Sequence, residues 1–122
     1  MTLQELYQEI GGDYEQALRV LRMDKLLDKH IRKFPKNGVV EAMLDAGASM
    51  DPTAMFETSH ALKGVSSNLG LTGIADAATV ITEDFRPGSS RKLSDAEIQA
   101  KLREVEALYR TTSDAIRRYE EA

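Results

Sequence analysis

The sequence predicts an all-α fold, an antiparallel up-and-down four-helix bundle with short N-terminal helices as a cover. Three observations lead there. Apolar residues recur at steps of three and four through most of the chain, and Asp, Ser, Thr, Pro and Gly punctuate them as helix start and stop signals. No period-2 alternation exceeds four residues, and no Asn-Gly turn lies between β-rich runs. Connections of about two to eight residues make consecutive helices antiparallel neighbours.

Leu3, Leu6, Tyr7 and Ile10 keep i, i+3, i+4, i+7 spacing, and Gly11-Gly12 stops that helix. Asp13, with Gln16 three residues on, caps a second helix whose face is Tyr14, Ala17, Leu18 and Leu21. Residues 1–23 make the expected cover, with Tyr7, Ile10 and Tyr14 placed to border a docking surface. Asp24 opens a segment with Leu27, Ile31 and Phe34 apolar and His30 flanking the core beside Leu26, Leu27 and Phe34. Pro35 then removes an amide donor and disfavours helical backbone at Phe34. The period resumes at Val39, Val40, Met43 and Leu44 and ends at Gly47, so residues 24–47 are either one kinked helix or two collinear ones.

Asp51-Pro52 pairs a capping side chain with a proline at the first helical position, where its missing N–H costs nothing. The helix it opens runs to about Asn68, with Met55, Leu62 and Leu69 as core stripe, Val65 and Ser66 beside it, and Gly70 as its stop. Thr72 is placed to cap the next helix, whose face is Ile74, Ala78, Ile81 and Phe85 and whose end is Pro87-Gly88. Ser94-Asp95-Ala96-Glu97 is a capping box. It opens the longest helix, where Ile98, Leu102, Val105, Tyr109, Thr112, Ile116 and Tyr119 alternate steps of four and three like a bundle seam. Residues 24–121 form the expected bundle, and the 122 residues read as a single domain.

Composition removes several chemistries. The chain has 16 Lys and Arg against 20 Asp and Glu, a net charge of −4, 42% apolar residues, no cysteine and two histidines. Without cysteine there is no disulfide, thiolate metal site or thiol nucleophile. The mild negative balance argues against non-specific nucleic-acid binding, and Lys29, Arg32, Lys33 and Lys36 read as a solvated face. No stretch approaches the roughly 20 apolar residues of a membrane span, and no basic run precedes an apolar block at the N-terminus. The expected protein is soluble and cytoplasmic. Neither His30 nor His60 has a second histidine or carboxylate at i+4, so no metal is expected. A glycine-rich phosphate loop, a nucleotide motif and a Ser-His-Asp set are absent from the sequence, and no activity as an enzyme in its own right is expected.

One constellation asks for a function: Ser59-His60-Ala61-Leu62-Lys63-Gly64-Val65-Ser66-Ser67-Asn68-Leu69-Gly70. At about 100° per residue, His60 lies roughly 160° around the helix from Leu62 and so faces away from the core. Its helical neighbours are Phe56, Glu57, Lys63, Gly64 and Ser67, of which Phe56, Glu57, Gly64 and Ser67 are the candidate partner-binding residues. Gly64 in a helix interior costs about 1 kcal/mol relative to alanine, which either close approach of another surface or tight packing of a neighbouring helix would explain. Lys63 is either a solvated lysine or a charge that offsets a phosphorylated imidazole.

His60, Leu62, Lys63, Gly64, Ser66, Leu69 and Gly70 spell His-x-Leu-Lys-Gly-x-Ser-x-x-Leu-Gly on a bundle helix, which resembles the histidine-containing phosphotransfer (HPt) domain family. The resemblance is strongest over about residues 51–86. It implies a phosphorelay carrier in which His60 takes a phosphoryl group from a receiver-domain aspartyl phosphate and passes it to another receiver. Lys63 stabilises the charge, and Gly64 admits the partner's loops. The implied partners are response-regulator receiver domains and a hybrid histidine kinase; the implied carrier is a monomer. It has no cofactor of its own, the Mg²⁺ belonging to the receiver. Some family members place a glutamine near the histidine from the following helix. Folding back about Gly70-Leu71 puts Ile81-Thr82 there, so Thr82, or Thr79 one turn earlier, is the candidate to orient the His60 ring. The competing readings are a non-catalytic adaptor or dimerisation bundle joined through the last helix, a phosphate-free pseudo-domain, and one domain of a larger kinase.

Overall fold

The structure is a computed structural model and describes residues 1–121. These form seven α-helices: α1 (Leu3–Ile10), α2 (Tyr14–Leu21), α3 (Asp24–Lys33), α4 (Val39–Ser49), α5 (Pro52–Asn68), α6 (Thr72–Asp84) and α7 (Asp95–Glu121). A single 3₁₀ turn, Phe34–Lys36, joins α3 to α4, so the segment that Pro35 interrupts is two helices. Among the described residues there is no strand.

Most helix ends follow their local chemistry. The Asp13 and Asp51 carboxylates accept from the Gln16 and Ala54 amides, and Ser94 and Glu97 exchange the two bonds of a capping box. Thr2 and Glu5 form a second capping box, which opens α1. Two signals act otherwise than the sequence suggests. Thr72 is the first residue of α6 and caps nothing; its hydroxyl reaches 3.5 Å to the Gly11 carbonyl, and Leu71 stands at the cap. Gly47 does not stop α4, which continues to Ser49 and ends on Met50 in the left-handed region. Its role is clearance, because a Cβ there would collide with the Leu102 side chain of α7.

The core draws one stripe from each element: Leu6 and Tyr7, Ala17, Leu27 and Ile31, Val40 and Met43, Met55 and Leu62, Ile74, Ala78 and Ile81, and Ile98, Leu102, Val105 and Ile116. The α7 seam is buried against its own chain, with Tyr109 and Tyr119 half-buried at its C-terminal half. α4 packs on α5, α5 on α6, α6 on α7, and α7 back on α4; α1 lies on α7, and α2 on α3 and α5. His30 and Leu26 depart from expectation. Both are exposed on the outer side of α3, while Leu27, Ile31 and Phe34 turn inward.

Two buried polar anchors set the frame of the site. The Tyr7 hydroxyl donates to the Leu69 carbonyl at 2.6 Å and the Asp13 amide to the Gly70 carbonyl at 2.8 Å, fastening the α1–α2 turn to the α5–α6 turn. At the far end of α6, the Asp84 carboxylate accepts from the Lys92 and Leu93 amides at 2.8 and 3.0 Å and from Arg91 at 3.0 Å. Burial pushes the Asp84 carboxyl up, but these donors outweigh it and hold it below the ordinary aspartate value. Asp84→Ala leaves the two loop amides without acceptors and is expected to cost about 2–3 kcal/mol. Because the folded value is depressed, the Asp84 contribution is full above the ordinary aspartate pKa of about 3.9 and is lost as the pH falls through the lower folded value. Denaturant melts of both proteins across that range check this. The difference between them should be constant near neutrality and shrink in acid.

Candidate functional site

The face of α5 that looks away from the core carries His60 and the polar part of the motif. His60 is exposed on it, and Glu57 and Gly64 are exposed beside it. Phe56, Lys63 and Ser67 are half-buried along its edges. The 3.6-residue turn dictates this, since Met55, Leu62 and Leu69 occupy the opposite stripe and are at most 4% exposed.

The ring of His60 is placed by stacking. Its imidazole lies on the Phe56 ring one turn earlier, with centroids 5.6 Å apart and planes 12° from parallel. The Arg86 guanidinium sits over the same Phe56 ring at 5.7 Å from its centroid. Arg86 is held there by a fork onto Glu83, at 3.1 and 2.7 Å. The Arg86 hydrogen bonds are the largest influence on Glu83 and hold its carboxyl below the ordinary range; burial opposes them, and the charges of Arg86 and Lys63 assist. His60, Phe56, Lys63, Glu83 and Arg86 thus form one cluster, two cations and one carboxylate around an exposed imidazole.

The fold-back register of α6 on α5 is as expected, but the threonines are engaged elsewhere. Thr82 is fully buried, 2.8 Å from the Ala78 carbonyl and 3.0 Å from the Ser59 hydroxyl. It meets Ser59, which points inward one residue before His60, roughly 100° around the helix. The Thr79 hydroxyl donates to the Ala75 carbonyl at 2.7 Å, a bond back along its own helix. Neither hydroxyl is bonded to the His60 ring, and Phe56 supplies the contact that orients it. Glu83 and Arg86 were absent from the sequence expectation. Opposite charges at i, i+3 across the end of α6 are the one sequence signal for a paired cation there.

Gly64 resolves between its two explanations. A Cβ built on it meets nothing within 4 Å, so no neighbouring helix needs the gap. Gly64→Ala is therefore expected to raise stability by up to about 1 kcal/mol, read as a higher melting temperature. Gly64→Gln should keep that stability. Loss of stability in either variant would return Gly64 to a packing role.

Among the described residues no three His, Asp or Glu side chains gather as a metal site, and no helix is long and apolar enough to cross a membrane. No curated protein matches the chain. The Hpt domain family does match, over residues 2–115 of the 122, a span that includes α1 to α6 and most of α7. With an all-helical fold and an exposed histidine in the motif helix, the chain belongs to the Hpt domain family, whose members are phosphocarriers in the histidine phosphotransfer of two-component signalling.

Proposed function

We propose that this protein accepts a phosphoryl group on His60 from the aspartyl phosphate of one receiver domain and delivers it to another, with a hybrid histidine kinase upstream. The observation that carries the reading is the exposed His60 imidazole, stacked on Phe56 between Lys63 and the open backbone of Gly64. A neutral imidazole is nucleophilic without a dedicated base. The Nε2 lone pair attacks phosphorus, the P–N bond forms as the P–O bond of the acyl phosphate breaks, and the aspartate leaves as carboxylate. The ring keeps its proton on Nδ1. Such a transfer needs in-line positioning and charge neutralisation. The receiver's Mg²⁺ supplies much of the second, and Lys63 adds to it from this side, with Phe56, Glu57, Gly64 and Ser67 as the docking rim.

The contacts of α4 with α5, α5 with α6, α6 with α7 and α7 with α4 support a closed antiparallel four-helix bundle within residues 24–121, covered by residues 1–23 in one domain. The buried α7 seam favours a monomer over the adaptor that dimerises through that helix. A cytoplasmic carrier without a metal of its own completes the reading.

The test is transfer from receiver domains charged with acetyl phosphate and Mg²⁺. The expected product is a phosphoprotein whose label is stable to alkali and lost in acid, as a phosphoramidate is. An uncharged protein after incubation with a panel of phosphorylated receivers, or a concentration-dependent dimer with no label, would overturn the proposal.

A further inference from the structure

A carboxylate beside an imidazole that is to carry phosphate is an electrostatic anomaly, and the α5–α6 hairpin places one there. Ser59 and Thr82, eleven and twelve residues to either side of Gly70, meet at 3.0 Å where the two helices face each other. Two right-handed helices that run in opposite directions turn their next residues to the same side, each by about 100°. His60 and Glu83 are those residues, and both are exposed. Four residues beyond the contact pair on each chain segment, Lys63 and Arg86 lie about 6 Å away in opposite directions along the axes. Lys63 is a little over one turn on and so returns to the same edge. Arg86, just past the end of α6, is drawn there by Glu83 and Phe56. Glu83 therefore lies between two cations.

Its contacts agree with that placement. Both carboxylate oxygens of Glu83 accept from the Arg86 guanidinium, at 3.1 and 2.7 Å, and the charge of Lys63 also acts on the group. Phe56 is the surface that the two helices share, with the imidazole 5.6 Å and the guanidinium 5.7 Å from its centroid. The fork by which Arg86 grips the carboxylate is the geometry by which a guanidinium grips phosphate.

We propose that Glu83 is a stand-in for the phosphoryl group: it holds Arg86 while His60 is free, is displaced when His60 is phosphorylated, and shortens the stay of phosphate on the protein by competing for that cation. The inference rests on the phosphotransfer reading above. A phosphoryl group on Nε2 brings three oxygens and close to two negative charges, against one on the carboxylate, so it takes over the guanidinium. The long Arg86 side chain makes the exchange by a change of rotamer. Glu83, left without its cation, then faces a dianion on the same edge. In onward or back transfer the P–N bond breaks, its electron pair returns to Nε2, and an acyl phosphate forms on a receiver aspartate. That step removes the repulsion and restores the fork. Glu83 is thus a positioning residue that acts through Arg86 and biases the carrier toward delivery over storage.

The experiment charges the full chain and its Glu83→Gln variant from a receiver domain phosphorylated by acetyl phosphate and Mg²⁺. Two quantities are read: the equilibrium partition of label between His60 and the receiver, and the lifetime of phospho-His60 once the receiver is removed. Glu83→Gln should move the partition toward His60 and lengthen the lifetime, each by about threefold or more at low ionic strength. The same substitution in an Arg86→Gln background should gain less than about twofold, because the contested cation is gone. Glu104→Gln removes an equal charge from an exposed site on α7, a helix that packs on α4 and α6, and should change neither quantity. Glu83 and Arg86 are exposed, so thermal melts should show each variant folded. Native protein that takes no phosphate from any receiver overturns the phosphotransfer reading and this inference together. Native protein that is labelled, with an equal or smaller partition and lifetime in Glu83→Gln, overturns the inference alone. So does a gain that is undiminished without Arg86, or one that Glu104→Gln reproduces.

Discussion

His60→Gln is expected to abolish phosphoryl uptake from every receiver that charges the native protein, while the helical fold is retained. The two halves have separate causes. Glutamine has no lone-pair nitrogen that can attack phosphorus, and His30, the only other histidine, is on α3 without the motif around it. The fold should survive because His60 is exposed and its intramolecular contact is the stack on Phe56, worth no more than about 1 kcal/mol at such a position. Glutamine is also the better helix former, which offsets part of that loss. Acid-labile radiolabel measured beside far-UV circular dichroism and a thermal melt reads both. Label that persists in the variant moves the acceptor away from His60.

Gly70→Ala is expected to cost about 2–5 kcal/mol, a large share of the 5–15 kcal/mol by which domains of this kind are usually stable. Gly70 has φ of +67°, where an alanine is strained in itself. Its Cβ would also fall well inside 3 Å of the Asp13 carbonyl oxygen and 3.4 Å from the Ala17 Cβ. Asp13 cannot retreat without losing its amide bond to the Gly70 carbonyl, and Tyr7 binds the neighbouring Leu69 carbonyl from the same side. Denaturant unfolding of the variant gives the number directly. An unchanged midpoint would mean that the α1–α2 turn is not fastened as described. The contrast with Gly64 is instructive: two glycines six residues apart in one motif are expected to respond to alanine with opposite signs.

The helices and the histidine were legible because each rests on a local rule. The start signals at Asp13, Asp51 and Ser94 act through side-chain bonds three residues away, and the core stripes follow the helical period. What escaped needed partners distant in sequence. Gly47 looked like a stop because Leu102, the residue that needs its bare backbone, lies on α7. Thr72 has the residue type of a cap, yet the chain enters α6 through Leu71 and the Thr72 hydroxyl is drawn toward Gly11. Thr82 lies on the expected helix and at the expected level but faces inward, because a hydroxyl that serves Ser59 and Ala78 in the interior cannot also face solvent. Arg86 follows the end of its helix, where periodicity no longer says which way a side chain turns; Phe56 and Glu83 fix it.

The hydrogen bond between the buried Ser59 and Thr82 hydroxyls acts as an index mark for α5. If the helix rolled by one residue, about 100°, the Ser59 and Thr82 hydroxyls would part and the imidazole would leave the bearing it now holds. The bearing of His60 is thus encoded one position earlier, by a buried hydroxyl.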